Sequence, residues 1–188
     1  MTIKQPLLLP VLLGVILLAT VFSFVSFCAQ GQDGASPSPK KQPLNQRLTA
    51  AAWAAFNAKN YNEAISQADQ CIELFQGSAD LLQTSLAERR VTLLSGSVTD
   101  PKQRAQILSN GLLNDVATCF FIKGYAAERL KQYDEAKNAY EAVETYPLAR
   151  TWNQDDDTFW VPSEGAAGRL VTLKKKANAV HPATPGNS

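Results

Sequence analysis

The chain opens on an unbroken apolar run. From Leu7 to Ala29 there are 23 residues without a charge. As a helix that run would measure about 34 Å, against a hydrocarbon core of about 30 Å. Residues 1–29 are therefore expected to hold a membrane-spanning helix. A cleaved secretory signal competes for the same run, but such signals carry about 7–15 apolar residues and end on small ones. The tolerable cleavage site is Ala29-Gln30-Gly31, and Phe27 ahead of Cys28 does not suit a lipoprotein signal. Residues 30–45 contain Gly31, Gly34, Ser36, Pro37, Ser38, Pro39 and Pro43 and almost nothing to bury. They read as a flexible linker, since such a segment cannot offset the entropy of ordering itself.

From residue 46 onward the apolar positions recur at helical spacing, with no sustained alternation of apolar and polar residues. The expected fold class is all-α. A first helix runs from about Gln46 to Lys59, with Leu48, Ala52, Ala55 and Phe56 on one side; a second runs from about Asn62 to Phe75 and ends before Gly77. Ser78 is the expected cap of a third, whose apolar side is Leu81, Leu82, Leu86 and Leu93. "SGSVTDP" stops that helix, and Asp100 with Pro101 opens a fourth. A fifth is expected over about Asp115 to Lys131 and a sixth over about Asp134 to Tyr146; after an aromatic and acidic loop, Pro162 starts a seventh. The tail, 177–188, is of low complexity and carries the single histidine, His181.

Charge and chemistry narrow the picture. Lys4 precedes the apolar run and the next positive residues are Lys40 and Lys41. Positive charge stays on the cytoplasmic side, so a single-pass anchor with an extracytoplasmic body is expected. Beyond the run, all but Lys4 of the 18 basic residues face 17 acidic ones, a balance that gives no attraction to nucleic acid. One histidine in a polar tail removes Ser–His and Cys–His nucleophilic schemes. Cys28, Cys71 and Cys119 have no CxxC or CxxH spacing, which argues against a zinc site. Cys71 and Cys119 fall at helical packing positions, where buried thiols are the expectation, although the compartment would permit a disulfide. There is no phosphate-cradling glycine motif, and Asp155, Asp156 and Asp157 lack the spaced ligands of a calcium loop. Lys174, Lys175 and Lys176 suit the negative end of a last helix. No cofactor, metal or catalytic residue is implied.

The phrase "KNYNEA" at 59–64 returns as "KQYDEA" at 131–136, 72 residues later. Both copies straddle an expected turn between antiparallel helices, with the tyrosine packed at the turn and the alanine at a close helix contact. In the second copy Gly124, Tyr133, Ala136, Tyr140 and, one residue early, Pro147 follow a spacing that resembles the tetratricopeptide repeat, a helix–turn–helix unit of about 34 residues. The first copy keeps Tyr61 and Ala64, with Ala52, Ala68 and Cys71 at the other signature positions. The interval is two repeat lengths plus a few residues. The resemblance thus implies a right-handed superhelix of about three hairpins, 46–78, a divergent 79–114 and 115–150, closed by a capping helix within 151–176. Two repeats with an unrelated insert is the alternative.

In that family the concave groove binds. Its positions fall on Gln46, Thr49, Trp53, Phe56 and Asn57 in the first repeat and on Thr118, Phe121, Tyr125, Glu128 and Arg129 in the last. Thr49, Trp53 and Tyr125 stand where the family's chaperone-tail clamp needs Lys, Asn or Arg, so the aromatic groove implies an apolar or extended peptide. Trp152, Phe159 and Trp160 are expected to fold back as a cap, a ligand-binding loop being the alternative. The function implied is a non-catalytic, membrane-tethered adaptor for a partner protein of the membrane or envelope. The alternative is an envelope protein that binds a glycan or small ligand through these aromatics.

Overall fold

The computed structural model describes residues 42–180, with side chains through residue 176. The order is α1 (Leu44–Asn57), α2 (Tyr61–Glu88), α3 (Pro101–Ser109), α4 (Gly111–Arg129), α5 (Tyr133–Glu144), β1 (Thr151–Asn153), β2 (Thr158–Trp160) and α6 (Pro162–Val180). The fold is mostly helical, as expected. No helix among the described residues is long and apolar enough to cross a membrane; the anchor expected at 1–29 lies outside them.

The repeated phrase builds the same turn twice. Lys59 and Lys131 both adopt left-handed backbone, φ 62° and 64°. Beyond α1, Lys59 N donates to Phe56 O and Asn60 N to Ala55 O, both at 2.9 Å. Beyond α4, Lys131 N donates to Glu128 O at 3.1 Å and Gln132 N to Ala127 O at 2.9 Å. This is the paired bonding of a Schellman cap, which satisfies the last helix carbonyls and reverses the chain. Ala64 and Ala136 are fully buried where the helices cross. Gly124 is there for the same reason: a Cβ on it would lie 2.7 Å from the Tyr140 ring. The tyrosines differ from expectation, since Tyr61 packs on Phe56 while Tyr133 is exposed.

Between the two hairpins the expected middle hairpin is replaced. α2 runs through Gly77 and Ser78 without a break to Glu88. A helical glycine costs about 1 kcal/mol, and the contacts made by the next turns of α2 outweigh that cost. Ala79 and Leu86 are buried in the main core, Tyr146 Oη donates to Asp80 and Leu148 N donates to Gln83 Oε1 at 3.2 Å. Leu81, assigned to the apolar side, faces solvent. Arg89 and Arg90 then turn the chain, Arg90 in left-handed backbone (φ 53°), residues 91–100 form no helix, and Asp100 caps α3 by accepting from Lys102 N at 2.9 Å, as its position before Pro101 implies. α4 begins at Gly111 rather than Asp115, after Asn110.

The core is alanine-rich where α1, α2 and α4 meet, around Ala52, Ala68, Cys71, Ala117, Cys119 and Ala126. Cys71 and Cys119 are buried, with their sulfurs 3.9 Å and 3.3 Å from Thr49 Oγ1. A second cluster joins α4, α5 and α6 through Phe121, Ala136, Tyr140 and Leu170. The stretch expected as a loop contains an antiparallel pair, with Thr151 opposite Trp160 and Asn153 opposite Thr158. Gly96 adds to its edge, donating to Phe159 O at 2.6 Å and accepting from Phe159 N at 2.9 Å. Leu93, Val98, Ile107 and Phe159 close a small third core beneath it.

Candidate functional site

α1, the first turns of α4 and the β1–β2 hairpin enclose an open cleft of about 890 Å³. α1 presents Gln46, Thr49, Trp53 and Asn57, one side of a helix at spacings of three and four. α4 contributes Asn114, Asp115 and Thr118, and the hairpin contributes Trp152, Phe159 and Trp160. The chain has three tryptophans, and all three line this cleft although Trp53 lies far from the others in sequence.

Specific bonds hold the hairpin wall. Thr118 Oγ1 donates to Asn114 O and lies 2.6 Å from Thr151 Oγ1. Asn114 spans the junction, accepting from Arg150 N at 2.9 Å and donating to Ile107 O at 3.0 Å. The Arg150 guanidinium donates to the carbonyls of Pro147, Ala149 and Leu93 at 2.7–3.0 Å. At the tip, Asp157 accepts from Trp152 Nε1 and Arg104, each at 2.8 Å; these bonds hold its carboxyl below the usual range. Arg104 also lies 5.3 Å over the Trp152 ring and 5.2 Å over Phe159. Trp160 packs edge-on against Phe121 at 4.9 Å.

Asp115 sits on the second turn of α4. Asn45 Nδ2 donates to its carboxylate at 2.5 Å. Burial raises its pKa to about 6, and the Asn45 bond offsets only part of that rise. No ion pair involves it among the described residues.

The residues singled out from sequence divide in two. Trp53 and Asn57 line the cleft, as do Gln46, Thr49 and Thr118. Phe56, Phe121 and Tyr125 form a packed aromatic cluster below it, with Phe56–Tyr125 centroids 4.5 Å apart and Phe121–Tyr125 6.2 Å apart. Glu128 is buried and serves packing: it accepts from Tyr140 Oη at 3.2 Å and Lys176 Nζ at 2.7 Å, with Arg169 3.7 Å away. Arg129 is exposed and bonds Tyr125 Oη at 3.3 Å, while Arg169 of α6 covers the Tyr125 ring at 4.0 Å. Asn114, Asp115 and Arg150 are site residues that the sequence reading missed. An acid one turn before Thr118 and Cys119, on a helix otherwise free of charge from Gly111 to Ile122, is the signal that points to Asp115.

Among the described residues no group of three or more His, Cys, Asp or Glu is placed to hold a metal ion. The cleft offers aromatic faces, amides, hydroxyls and one desolvated carboxylate, a set suited to binding. Compared with known proteins, the chain matches no family model, no curated protein and no solved structure.

Proposed function

We propose that the chain is a non-catalytic, membrane-tethered adaptor that captures an extended segment of a partner protein in the cleft between α1, α4 and the β1–β2 hairpin. The observation that carries this reading is the convergence of all three tryptophans on one open cleft. Concave sites lined by aromatic side chains with a few polar groups are the usual form of a binding site, and amphipathic aromatics are favoured where partners bind. The resemblance to the tetratricopeptide repeat, with its two matching turns and the Gly124–Tyr140 contact, supports it. In that arrangement α1 and α4 are the first helices of adjacent hairpins, whose inner sides form the family's groove. The tether is the apolar run at 7–29.

The test is site-specific photo-crosslinking of the full chain in its membrane. A photo-reactive residue at Asn57 or Gln154 is expected to trap one and the same protein, while residues at Leu81 or Val171, exposed on other helix sides, do not. A partner trapped from Leu81 or Val171 and not from the cleft refutes the reading. A glycan is the second reading, favoured by the amides of Gln46, Asn57, Asn153 and Gln154 beside the tryptophans. Saccharide-dependent shifts in tryptophan emission, with no cleft crosslink to protein, would select it.

A further inference from the structure

The cleft carries a carboxylate that no described residue neutralises. Asp115 lines the cavity and has a neutral amide, Asn45, as its hydrogen-bond donor. Arg150, the arginine that lines the cleft, and Arg104, bonded at the hairpin tip, are committed elsewhere. Arg150 donates from both terminal nitrogens to backbone carbonyls, and Arg104 is paired with Asp157. The remaining charge at the mouth is Asp155, a second acid. A partly desolvated carboxylate in a cleft that tryptophans also line is costly to leave without a counter-charge. It becomes favourable when a cation arrives, because the rings attract that cation by their quadrupoles and the carboxylate accepts charge-assisted hydrogen bonds.

We propose that the cleft selects a basic residue: the arginine or lysine of an extended partner segment lays its alkyl stem along the tryptophan rings and pairs its cationic head with Asp115. The inference rests on the peptide-capture reading and names the chemistry that reading needs. Arginine is the stronger ligand, since its guanidinium is weakly hydrated, stacks on aromatic faces and meets a carboxylate through two parallel donors. Ionised Asp115 is required. The titratable groups facing it are Cys119 on α4 and Cys71 on α2, with Arg150 and Asp155 across the cleft; α1 presents Asn45, Gln46 and Thr49, which do not titrate. Binding therefore weakens as pH falls through about 6, where Asp115 takes up its proton.

The three tryptophans make the test direct, because tryptophan emission, excited beyond the tyrosine band, comes from the cleft alone. The full chain in detergent micelles is titrated with two tryptophan-free heptapeptide pools, blocked at both ends and randomised around a central arginine or its neutral isostere citrulline. The arginine pool is expected to bind about tenfold more tightly or better at pH 7.5, the scale of one charge-assisted contact. Asp115→Asn should remove that preference, and lowering the pH to 5 should shrink it in the unaltered chain. Equal binding of the two pools, or a preference that survives Asp115→Asn, overturns the basic-residue inference and leaves peptide capture standing. Silence from both pools overturns peptide capture and the inference with it.

Discussion

Asp115→Asn should make the protein more stable at neutral pH, and by an amount that pH switches off. The folded carboxyl titrates at about 6 against an ordinary value of 3.8. A group raised in this way contributes no penalty below its unfolded value, where both states are protonated. As pH rises, the unfolded chain ionises first and the fold loses stability until the folded value is passed; above about 6 the full penalty applies. A gap of about two pKa units is worth about 3 kcal/mol. The cleft mouth admits water to the carboxylate, so about 2 kcal/mol is the expected share. Asparagine cannot ionise, yet its carbonyl oxygen can still accept from Asn45 Nδ2. Thermal unfolding of the full chain in detergent, monitored by helical circular dichroism, should show the variant melting about 5–10 °C higher at pH 7.5. The two curves should converge near pH 4. A gain of equal size at both pH values would mean that ionisation is not the cause. No gain at pH 7.5 would mean that Asp115 is already compensated in solution, which would also remove the premise of the basic-residue inference.

Gly77→Ala should stabilise the chain by about 0.5–1 kcal/mol in the same melts, because an added Cβ meets nothing within 4 Å and α2 is continuous there; a loss would mean that the helix breaks at that point. Gly124→Ala should destabilise by about 1–3 kcal/mol through overpacking against the Tyr140 ring, and an unchanged melting temperature would contradict the close contact between α4 and α5. Lys131→Gly should raise stability by about 1 kcal/mol by relieving left-handed strain at the turn.

The features legible in the sequence are those encoded within a few residues. The duplicated phrase locates both hairpin turns, since the lysine takes the left-handed position and the alanine the crossing beside it, while the tyrosine packs in the first copy and is exposed in the second. The cap at Asp100 and Pro101 is equally local. Gly77-Ser78 carries a local stop signal that is overruled by Tyr146 and Leu148, residues roughly seventy positions away that bond to the next turns of α2. Strands of three residues, Thr151–Asn153 and Thr158–Trp160, are too short for alternation to register. The site divides along the same line. Trp53, Asn57 and Glu128 all come from the groove positions that the tetratricopeptide resemblance implies, and Glu128 is taken out of the groove by a neutralising partner, Lys176, that comes 48 positions later. Asp115 reads as the start of a helix that in fact begins a turn earlier.

The pairing of Gly96 with Phe159 has a consequence for how the binding wall opens. It rests on two hydrogen bonds and a buried core of four residues, far smaller than the core around α1, α2 and α4. Local stability follows the buried apolar contacts of a segment, so this edge of the hairpin is expected to open ahead of the helices. Native-state hydrogen exchange should find the amides of Gly96 and Phe159 exchanging through a local opening, well ahead of those in α4. A cleft with one wall on a separate latch admits a partner segment from the side, without any need to thread it end-first.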